Sequence, residues 1–322
     1  MRQYKHLTYE QRYHIYALKK LGFSNAKIAR EIGVHRSTIS RELARNSGDR
    51  GYRPKQAQQK ASQRRFEAVR FVKMTPSLTH VVEEKLLAKW SPEQISGWLL
   101  FETGIGLSHE RIYQHVWADK RNGGDLYLHL RRQGKKYEKR RNGRSSRGQI
   151  KDRVGIEKRP SVVDLRTRVG DWEIDTVIGK GHKGALVTIV ERKTQHLVSK
   201  RVMDKSAESV TKATIELLTP YISRVHTVTA DNGKEFSDHK EIAEKLEAKV
   251  YFARPYHSWE RGLNENSNGL LRQYFPKSTD FTKVTDESVE LAVNEINNRP
   301  RKTLLYKTPQ ALMQRSLAWG HN

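Results

Sequence analysis

The chain has 322 residues, 36% of them hydrophobic and 30% charged, which suits two or three globular domains rather than one core. Its 61 basic and 36 acidic residues give a formal net charge of +25, so a polyanionic partner is expected. The sequence has no cysteine and no apolar run of about 18 residues, which excludes disulfides, thiolate zinc fingers and a membrane span. Nucleic acid is therefore the expected partner.

The basic residues are spread unevenly along the chain. Residues 1–130 hold 23 basic and 12 acidic residues, and 161–322 hold 25 and 21, whereas 131–160 hold 13 and 3. The middle segment has few apolar residues, so it is predicted to be a flexible basic linker. We expect a first helical domain at 1–50, a second at 51–130, and a separate α/β domain after the linker.

The first domain has the pattern of a helix-turn-helix. Thr8 and Gln11 form a capping-box start for a helix over 9–21. A second helix is predicted over 25–32 and a third over 35–46, joined through a glycine turn. Two short helices joined in this way, the second of them rich in arginine, are typical of DNA-binding proteins.

The third helix would present its polar face to DNA. Its apolar residues face the core, so Arg36, Ser37, Ser40 and Arg41 project outward near its start. These are the positions that reach base edges when a recognition helix enters the major groove. The alternative is a small helical bundle with an ordinary solvated basic face.

A second helical pair is predicted at 90–120. Ser91 begins a helix that runs to about residue 102, and a further helix covers 109–119. A role in packing or dimerisation is as consistent with this pattern as direct base contact. The side chains that would meet DNA are His109, Arg111, Gln114 and His115.

After residue 170 the periodicity changes to that of strands. Three strands, a helix, a strand, a helix, a strand and a long helix follow in that order, which is the order of a ribonuclease-H-like domain. The predicted strands are 171–178, 185–191, 197–202, 225–230 and 249–253, and the helices are 207–218, 238–246 and 259–274.

Three carboxylates in this domain are candidates for a metal-dependent phosphoryl-transfer site. Asp175 lies within the first strand, Asp231 at the carboxyl end of the fourth strand, and Glu265 on the long helix. Two-metal chemistry needs a few carboxylates that converge on one point. On the same helix face, Asn268 and Arg272 follow Glu265 at i+3 and i+7, so Arg272 could reach a DNA phosphate.

Each acid also has an ordinary interpretation when it is taken alone. Asp-Asn-Gly at 231–233 is a common β-turn, and a glutamate on a polar helix face is usually solvated. Asp171, Glu173 and Asp175 alternate onto one strand face, so spacing alone does not choose among them. The three acids in this order are more specific than any one of them.

Three long motifs and a tail carry a family resemblance. The motifs are Gly-Asp-Trp-Glu-Ile-Asp-Thr-Val-Ile-Gly at 170–179, Thr-Ala-Asp-Asn-Gly-Lys-Glu-Phe at 229–236 and Trp-Glu-Arg-Gly-Leu-Asn-Glu-Asn-Ser-Asn-Gly-Leu-Leu-Arg-Gln-Tyr-Phe-Pro-Lys at 259–277. The tail is Asn-Asn-Arg-Pro-Arg-Lys-Thr at 297–303, with Thr-Pro at 308–309. The chain resembles bacterial DDE transposases of the insertion-sequence-thirty family over essentially its whole length.

The resemblance implies a role for several residues. It makes Asp175, Asp231 and Glu265 the catalytic acids and metal ligands, with Arg272 as a nearby basic residue. Glu173 matches the family's Trp-Glu pair without an assigned role.

The resemblance also implies a ribonuclease-H-like fold and dependence on Mg²⁺ or Mn²⁺, as two ions. The implied partners are double-stranded terminal inverted repeats and target DNA, bound by a homodimer or higher homo-oligomer. The expected location is the bacterial cytoplasm, at the nucleoid.

Three alternatives to a transposase differ in whether they need the three acids and in whether they join the DNA that they cut. A ribonuclease-H-like nuclease would cut DNA without joining it. A helix-turn-helix transcriptional regulator would tolerate replacement of the three acids. A basic structural protein of the nucleoid would need no acidic constellation in its C-terminal half.

Overall fold

The computed structural model describes residues 6–67, 74–133, 150–255 and 257–318. The chain divides into two compact units, Met1–Lys73 and Met74–Asn322. The first unit is helical and the second joins helices to a mixed sheet, which confirms the predicted multidomain fold class.

The described part of the first unit, residues 6–67, contains four helices. They are α1 (Tyr9–Lys20), α2 (Asn25–Ile32), α3 (Arg36–Asn46) and α4 (Pro54–Glu67). The predicted helices agree with α1 to α3 to within one residue, and α4 was not predicted. Because α4 packs against α1 and α3, the unit extends beyond the expected boundary at residue 50.

Local interactions fix the helices of this unit. Thr8 and Gln11 form the predicted capping box, and Gly33 ends α2 in a left-handed conformation with φ of 73°. Between helices, Arg12 pairs with Glu42 over 2.8 Å while both side chains are buried. Removing one partner of such a pair would strand a buried charge, so this contact holds α1 against α3.

Three helices begin the second unit. They are α5 (Pro76–Leu87), α6 (Pro92–Thr103) and α7 (His109–Arg121). Ser91 and Gln94 form the capping box of α6, and Pro92 occupies its first turn. The apolar residues shared by the three helices include Leu78, Val82, Leu86, Ile95, Leu99, Ile112 and Val116.

A five-stranded sheet forms the centre of the rest of this unit. The strands are β1 (Asp171–Ile178), β2 (Ala185–Glu191), β3 (Leu197–Val202), β4 (Thr227–Ala230) and β5 (Lys249–Phe252), in the spatial order β3-β2-β1-β4-β5. β1 to β3 pair antiparallel, and β4 and β5 run parallel to β1. This is the strand arrangement of a ribonuclease-H-like domain, as predicted.

Helices cover both faces of the sheet. α9 (Ala207–Leu218), α10 (His239–Lys245) and α13 (Pro309–Ala318) share one apolar cluster with it. α11 (Gly262–Leu271) and α12 (Asp286–Asn297) share the cluster on the other face. A short helix, α8 (Ser161–Leu165), precedes the sheet. In the described part of the chain, no helix combines the length and apolar character needed to cross a bilayer.

The prediction of one long helix over 259–274 was wrong. Ser258–Arg261 is a 3₁₀ turn, and α11 covers only Gly262–Leu271. The backbone of Arg261 has φ of −126° and ψ of 42°, outside the helical region, so the α-helix begins after it. This break directs Arg261 toward the sheet.

The predicted linker over 131–160 is only partly described, because 134–149 lie outside the described residues. Its last part is not a free linker. Gly155 forms a bridge with Phe252 of β5, and the buried guanidinium of Arg159 donates to Thr229 over 2.9 Å. These contacts attach the segment to the sheet, so the α/β domain begins about ten residues before 161.

We expect Asn297→Ala to lower the free energy of unfolding by about 2–3 kcal/mol. The buried amide of Asn297 accepts from the N–H of Leu197 over 2.9 Å and donates to its carbonyl over 2.8 Å, which ties α12 to β3. All six tryptophans lie after residue 73, so urea unfolding followed by tryptophan fluorescence reports on the second unit.

Asn298→Ala is the matched control for this experiment. Asn298 is exposed and its amide bonds only to Asn294 of the same helix, so its loss should cost less than about 0.5 kcal/mol. Equal effects of the two substitutions would contradict the assigned role of Asn297.

Candidate active site

Asp175 and Asp231 lie on neighbouring inner strands of the sheet, near the carboxyl end of β4. In the parallel pair of β1 and β4, Glu173 faces Thr229, and each acid lies two residues further along its strand. Side chains alternate along a strand, and Val177 packs in the cluster beneath α11 and α12. Asp175 therefore emerges on the face that carries α11.

The guanidinium of Arg261 lies between these two carboxylates. Its Nη1 is 3.4 Å from Oδ1 of Asp175, and its Nη2 is 3.3 Å from Oδ2 of Asp231. Nη1 also donates to the carbonyl of Ile174 over 3.1 Å. With the Arg261 side chain only 11% exposed, water screens these charges weakly. One buried cation thus offsets the repulsion between two carboxylates.

Neighbouring side chains orient the carboxylate of Asp175. Asn268 donates to its Oδ2 over 2.9 Å, and Thr188 fixes that amide by donating to its Oδ1 over 2.9 Å. The N–H of Thr176 donates to the other carboxylate oxygen. Burial raises the pKa of Asp175, the charge of Arg261 opposes this rise, and Asp231 adds to it.

The turn after β4 orients Asp231. The N–H of Gly233 donates to its Oδ1 over 2.7 Å. The adjacent Asn232 is buried, donates to the carbonyl of Ala253 over 2.6 Å and accepts from Arg153. The chain therefore bends at Asn232, where the Asp231 side chain closes the bend, and Asp231 faces the guanidinium that it shares with Asp175.

Glu265 lies in the first turn of α11 and is exposed. It lines a cleft of about 720 Å³ together with Asp175, Arg261 and Asn268. The structure thus brings Asp175 and Asp231 together around Arg261, and Asp175 and Glu265 together around one cleft. Among the described residues, no three His, Asp or Glu side chains form a ready-made metal site.

The buried carboxylate of Glu173 anchors the start of α11. It accepts from the N–H of Asn264 over 3.2 Å and pairs with the guanidinium of Arg192. A carboxylate at a helix N-terminus satisfies an N–H that lacks an intrahelical partner. Burial raises the pKa of Glu173, and Arg192 opposes this rise. Because Asn264 directly precedes Glu265, Glu173 helps to place that acid.

Arg272 lines the cleft and also connects α11 to β1. It lines the cleft, and its guanidinium donates to the carbonyl of Ile178 over 2.9 Å and to those of Phe275 and Pro276 at 3.4 and 3.3 Å. Burial lowers its pKa. These bonds join the end of α11 to the end of β1, and contact with a DNA phosphate stays a prediction.

The predicted DNA-reading residues of α3 are mostly at the surface. Arg36, Ser40 and Arg41 are exposed, whereas Ser37 is half-buried. The hydroxyl of Ser37 bonds to the ring of His35 over 2.8 Å and accepts from Arg41 over 2.9 Å. Arg36 and Ser40 are the members of this set that project without such a contact on their own helix.

The candidates on α7 separate into two groups. His109, Arg111 and Gln114 are exposed, and Arg111 donates to Gln114 over 3.3 Å. His115 is half-buried and bonds to Glu83 of α5 over 2.7 Å, and its contact with DNA stays a prediction. His115 joins two helices of the bundle.

Sequence reasoning missed Arg261 and Arg131 as residues of this site. Arg131 lies over Gly269 of α11, where a Cβ would clash with its guanidinium, and it donates to Asn266 over 3.1 Å. Its charge acts on Glu265. The available signal was the glycine within α11, since a helix interior disfavours glycine unless another group needs the space.

The chain is similar to several known proteins. A family model described as "Helix-turn-helix domain" matches residues 3–46. The chain is 46% identical to the transposase for insertion sequence element IS4351 of Bacteroides fragilis, over 98% of this chain and 99% of the relative. It is 36% identical to the transposase InsI for insertion sequence element IS30A of Escherichia coli (strain K12), over 97% and 84%.

A third relative and one solved structure are also similar. The transposase for insertion sequence element IS1086 of Cupriavidus metallidurans is 35% identical over 98% of this chain and 96% of the relative. The catalytic core domain of BIV integrase aligns with 48% of this chain and 99% of its own length, at 18% identity and a TM-score of 0.39.

Proposed function

This chain belongs to the insertion-sequence-thirty family of bacterial transposases, and we propose that Asp175, Asp231 and Glu265 form its site for cutting and joining DNA. The observation that carries the proposal is that the carboxylates of Asp175 and Asp231 share one cation, Arg261, near the carboxyl end of β4. The third acid lies on the helix that follows Arg261 and lines the same cleft as Asp175.

The donor atoms of this site suit a hard divalent cation. Carboxylate oxygens are the ligands that Mg²⁺ and Mn²⁺ prefer, and Asp175 and Asp231 already share a positive charge. We propose that Asp175, Asp231 and Glu265 hold Mg²⁺ or Mn²⁺, as two ions. When bound, such ions activate the attacking oxygen and stabilise the leaving oxygen of a phosphodiester.

The chain itself contributes position and charge. Asn268 and Thr188 hold Asp175 in one orientation, the turn N–H of Gly233 holds Asp231, and Glu173 fixes the start of the helix that carries Glu265. Fixed geometry of this kind lowers the barrier to an in-line displacement.

The proposed chemistry has two steps. Water attacks a phosphodiester at the element's end, the P–O3′ bond breaks, and a 3′-hydroxyl and a 5′-phosphate result. That hydroxyl then attacks a phosphodiester of the target, so that a new P–O bond joins the element's 3′ end to the target's 5′ end. The target's P–O3′ bond breaks, and a target 3′-hydroxyl leaves. No side chain forms a covalent intermediate.

We propose that the first unit recognises the terminal inverted repeats. The exposed Arg36 and Ser40 at the start of α3 would contact base edges, with Arg41 nearby. His109, Arg111 and Gln114 of α7 would provide a second contact surface. Because an element has two ends, the active species would be a homodimer or a higher homo-oligomer.

We expect Asp175→Asn, Asp231→Asn and Glu265→Gln each to reduce cleavage at least about a thousandfold, as loss of a group that acts only on the transition state does. The assay uses labelled duplex with the inverted repeats that flank this reading frame, Mg²⁺ and a plasmid target. Glu241→Gln, an exposed change on α10, is the control and should retain activity.

The products of this assay distinguish the alternatives. Cleaved ends that never join the plasmid would favour a nuclease. Binding of the repeats without any cleavage by the unsubstituted protein would favour a regulator. Activity in all three acid variants would refute the proposed site.

We expect Arg261→Gln to lower the melting temperature of the metal-free protein, because two poorly hydrated carboxylates lose their shared cation. The same change should increase the stabilisation by Mn²⁺, since the ion no longer competes with a resident charge. At a subsaturating Mn²⁺ concentration, the Mn²⁺-induced rise in melting temperature should be about twice as large in Arg261→Gln as in the unsubstituted protein.

Arg254→Gln is the control for this measurement. Arg254 lies in the same segment of chain, and its side chain is 54% exposed and forms a 4.0 Å pair with Glu260. Its loss should leave the response to Mn²⁺ unchanged. An equal or smaller Mn²⁺ shift in Arg261→Gln than in the unsubstituted protein would show that the guanidinium and the metal do not compete.

A further inference from the structure

A second cavity, of about 330 Å³, lies between the N-terminal end of α6, the helix α11 and the segment 299–306. Its lining is strongly basic. The cations that line it are Lys89, Arg131, Arg299, Arg301 and Lys302. Glu93 is the carboxylate among its lining residues, and that side chain pairs with Lys302 over 2.7 Å. The cavity thus has a large excess of positive charge.

The two central arginines of this cavity are buried and make no direct ion pair among the described residues. Glu295 acts on Arg299 from behind Tyr274, whose hydroxyl donates to that carboxylate over 2.6 Å. Arg299 is 1% and Arg301 8% exposed, and in the described part of the chain neither has a carboxylate within ion-pair distance. Arg299 has neutral partners, donating to Gln273 over 2.7 Å and to the hydroxyl of Tyr274. Arg301 donates to the carbonyl of Ile296 over 3.3 Å.

Both side chains keep unused donors. The Nε atoms of Arg299 and Arg301 are buried and make no hydrogen bond. Burial lowers the pKa of Arg301 to about 10, and repulsion from Arg299 and Arg131 contributes to this shift. A buried cation that lacks an ion-pair partner is costly, so a cluster of this kind indicates that an anion completes it.

The surrounding contacts build this cavity as a fixed feature. Gln94 of α6 donates to the carbonyl of Pro300 over 2.9 Å. Gly97 of α6 has no side chain, and a Cβ there would overlap the ring of Tyr306. Lys302 reaches across to Glu93. The helical bundle and the tail motif at 297–303 therefore close on each other around the arginines.

The cavity adjoins the cleft of the proposed active site. Arg131 and Asn266 line both of them, and α11 carries Glu265 on its first turn and Leu270 near its end. A strand of nucleic acid held at the acids would therefore pass close to the second cavity. Guanidinium groups recognise phosphate with paired N–H donors, which suits the arginines found here.

We propose that this basic pocket binds a backbone phosphate of the DNA strand that lies in the catalytic cleft. The proposal rests on the proposed function in taking DNA as the ligand of the cleft. The pocket would hold the strand in register with Asp175 and Glu265 without reading its sequence, because phosphate contacts position a nucleic acid and carry no base information. It also gives a role to Arg299 and Arg301 of the tail motif.

The test is the affinity of the full chain for a labelled duplex with the flanking repeats, measured by fluorescence anisotropy without metal at several salt concentrations. Arg301→Gln should weaken binding about tenfold, as loss of a charge-assisted phosphate contact does. The slope of log K against log salt should fall by about 1. Arg131→Gln should also weaken binding. Because Arg131 is exposed, this variant tests the pocket even if Arg301→Gln does not fold.

Lys212→Gln is the matched control, because it also removes one positive charge but lies on α9, on the opposite face of the sheet from α11. It should change affinity less than about twofold. Unchanged affinity and unchanged salt slope in folded Arg301→Gln and Arg131→Gln would overturn the proposal. So would stabilisation of the unsubstituted protein by inorganic phosphate that Arg301→Gln abolishes while DNA affinity stays intact, because the pocket would then be a small-anion site.

The two proposals fail separately. If Arg301→Gln weakens DNA binding while Asp175→Asn retains cleavage, the assignment of the catalytic acids is wrong and the phosphate pocket stands. If Asp175→Asn abolishes cleavage while the pocket variants bind DNA normally, the catalytic assignment stands and the pocket does not.

Discussion

The repulsion between Asp175 and Asp231 is the constraint around which the α/β domain is organised. Two poorly hydrated carboxylates at adjacent strand positions need a shared cation, and Arg261 supplies it from the 3₁₀ turn that precedes α11. The same turn sets where α11 begins, and so where Glu265 lies. Arg261 thus takes part in the helix break, in both ion pairs and in the lining of the cleft.

The contacts around this centre form a continuous set. Glu173 fixes the first turn of α11, Asn268 joins its middle to Asp175, and Arg272 joins its end to β1. Three contacts along α11 thus attach it to β1. A residue on that helix keeps its distance from the acids of the sheet, which is what positioned catalysis requires. On its outer side the helix borders the basic pocket that contains Arg299 and Arg301.

Much of this architecture could be predicted from the sequence, because its signals are local. Short runs of strand-forming residues bounded by turn residues predicted β1 to β3 with their observed ends, and capping residues such as Ser91 predicted the helix starts. Order along the chain indicated where candidate acids lie, and the family resemblance chose Asp175 among the three acids of β1. The break before Gly262, the position of Arg261 and the gathering of Arg131 with Arg299 depend on contacts between distant segments. No local pattern reports such contacts, and the prediction of one long helix was wrong for that reason.

The most direct test of the central claim is a crystal structure of the protein with Mn²⁺, examined by anomalous scattering at the manganese edge. The account predicts a peak coordinated by Asp175 and Asp231, with Glu265 turned toward it and the guanidinium of Arg261 displaced from between the carboxylates. A manganese site elsewhere, with Arg261 still bridging the two acids, would contradict it.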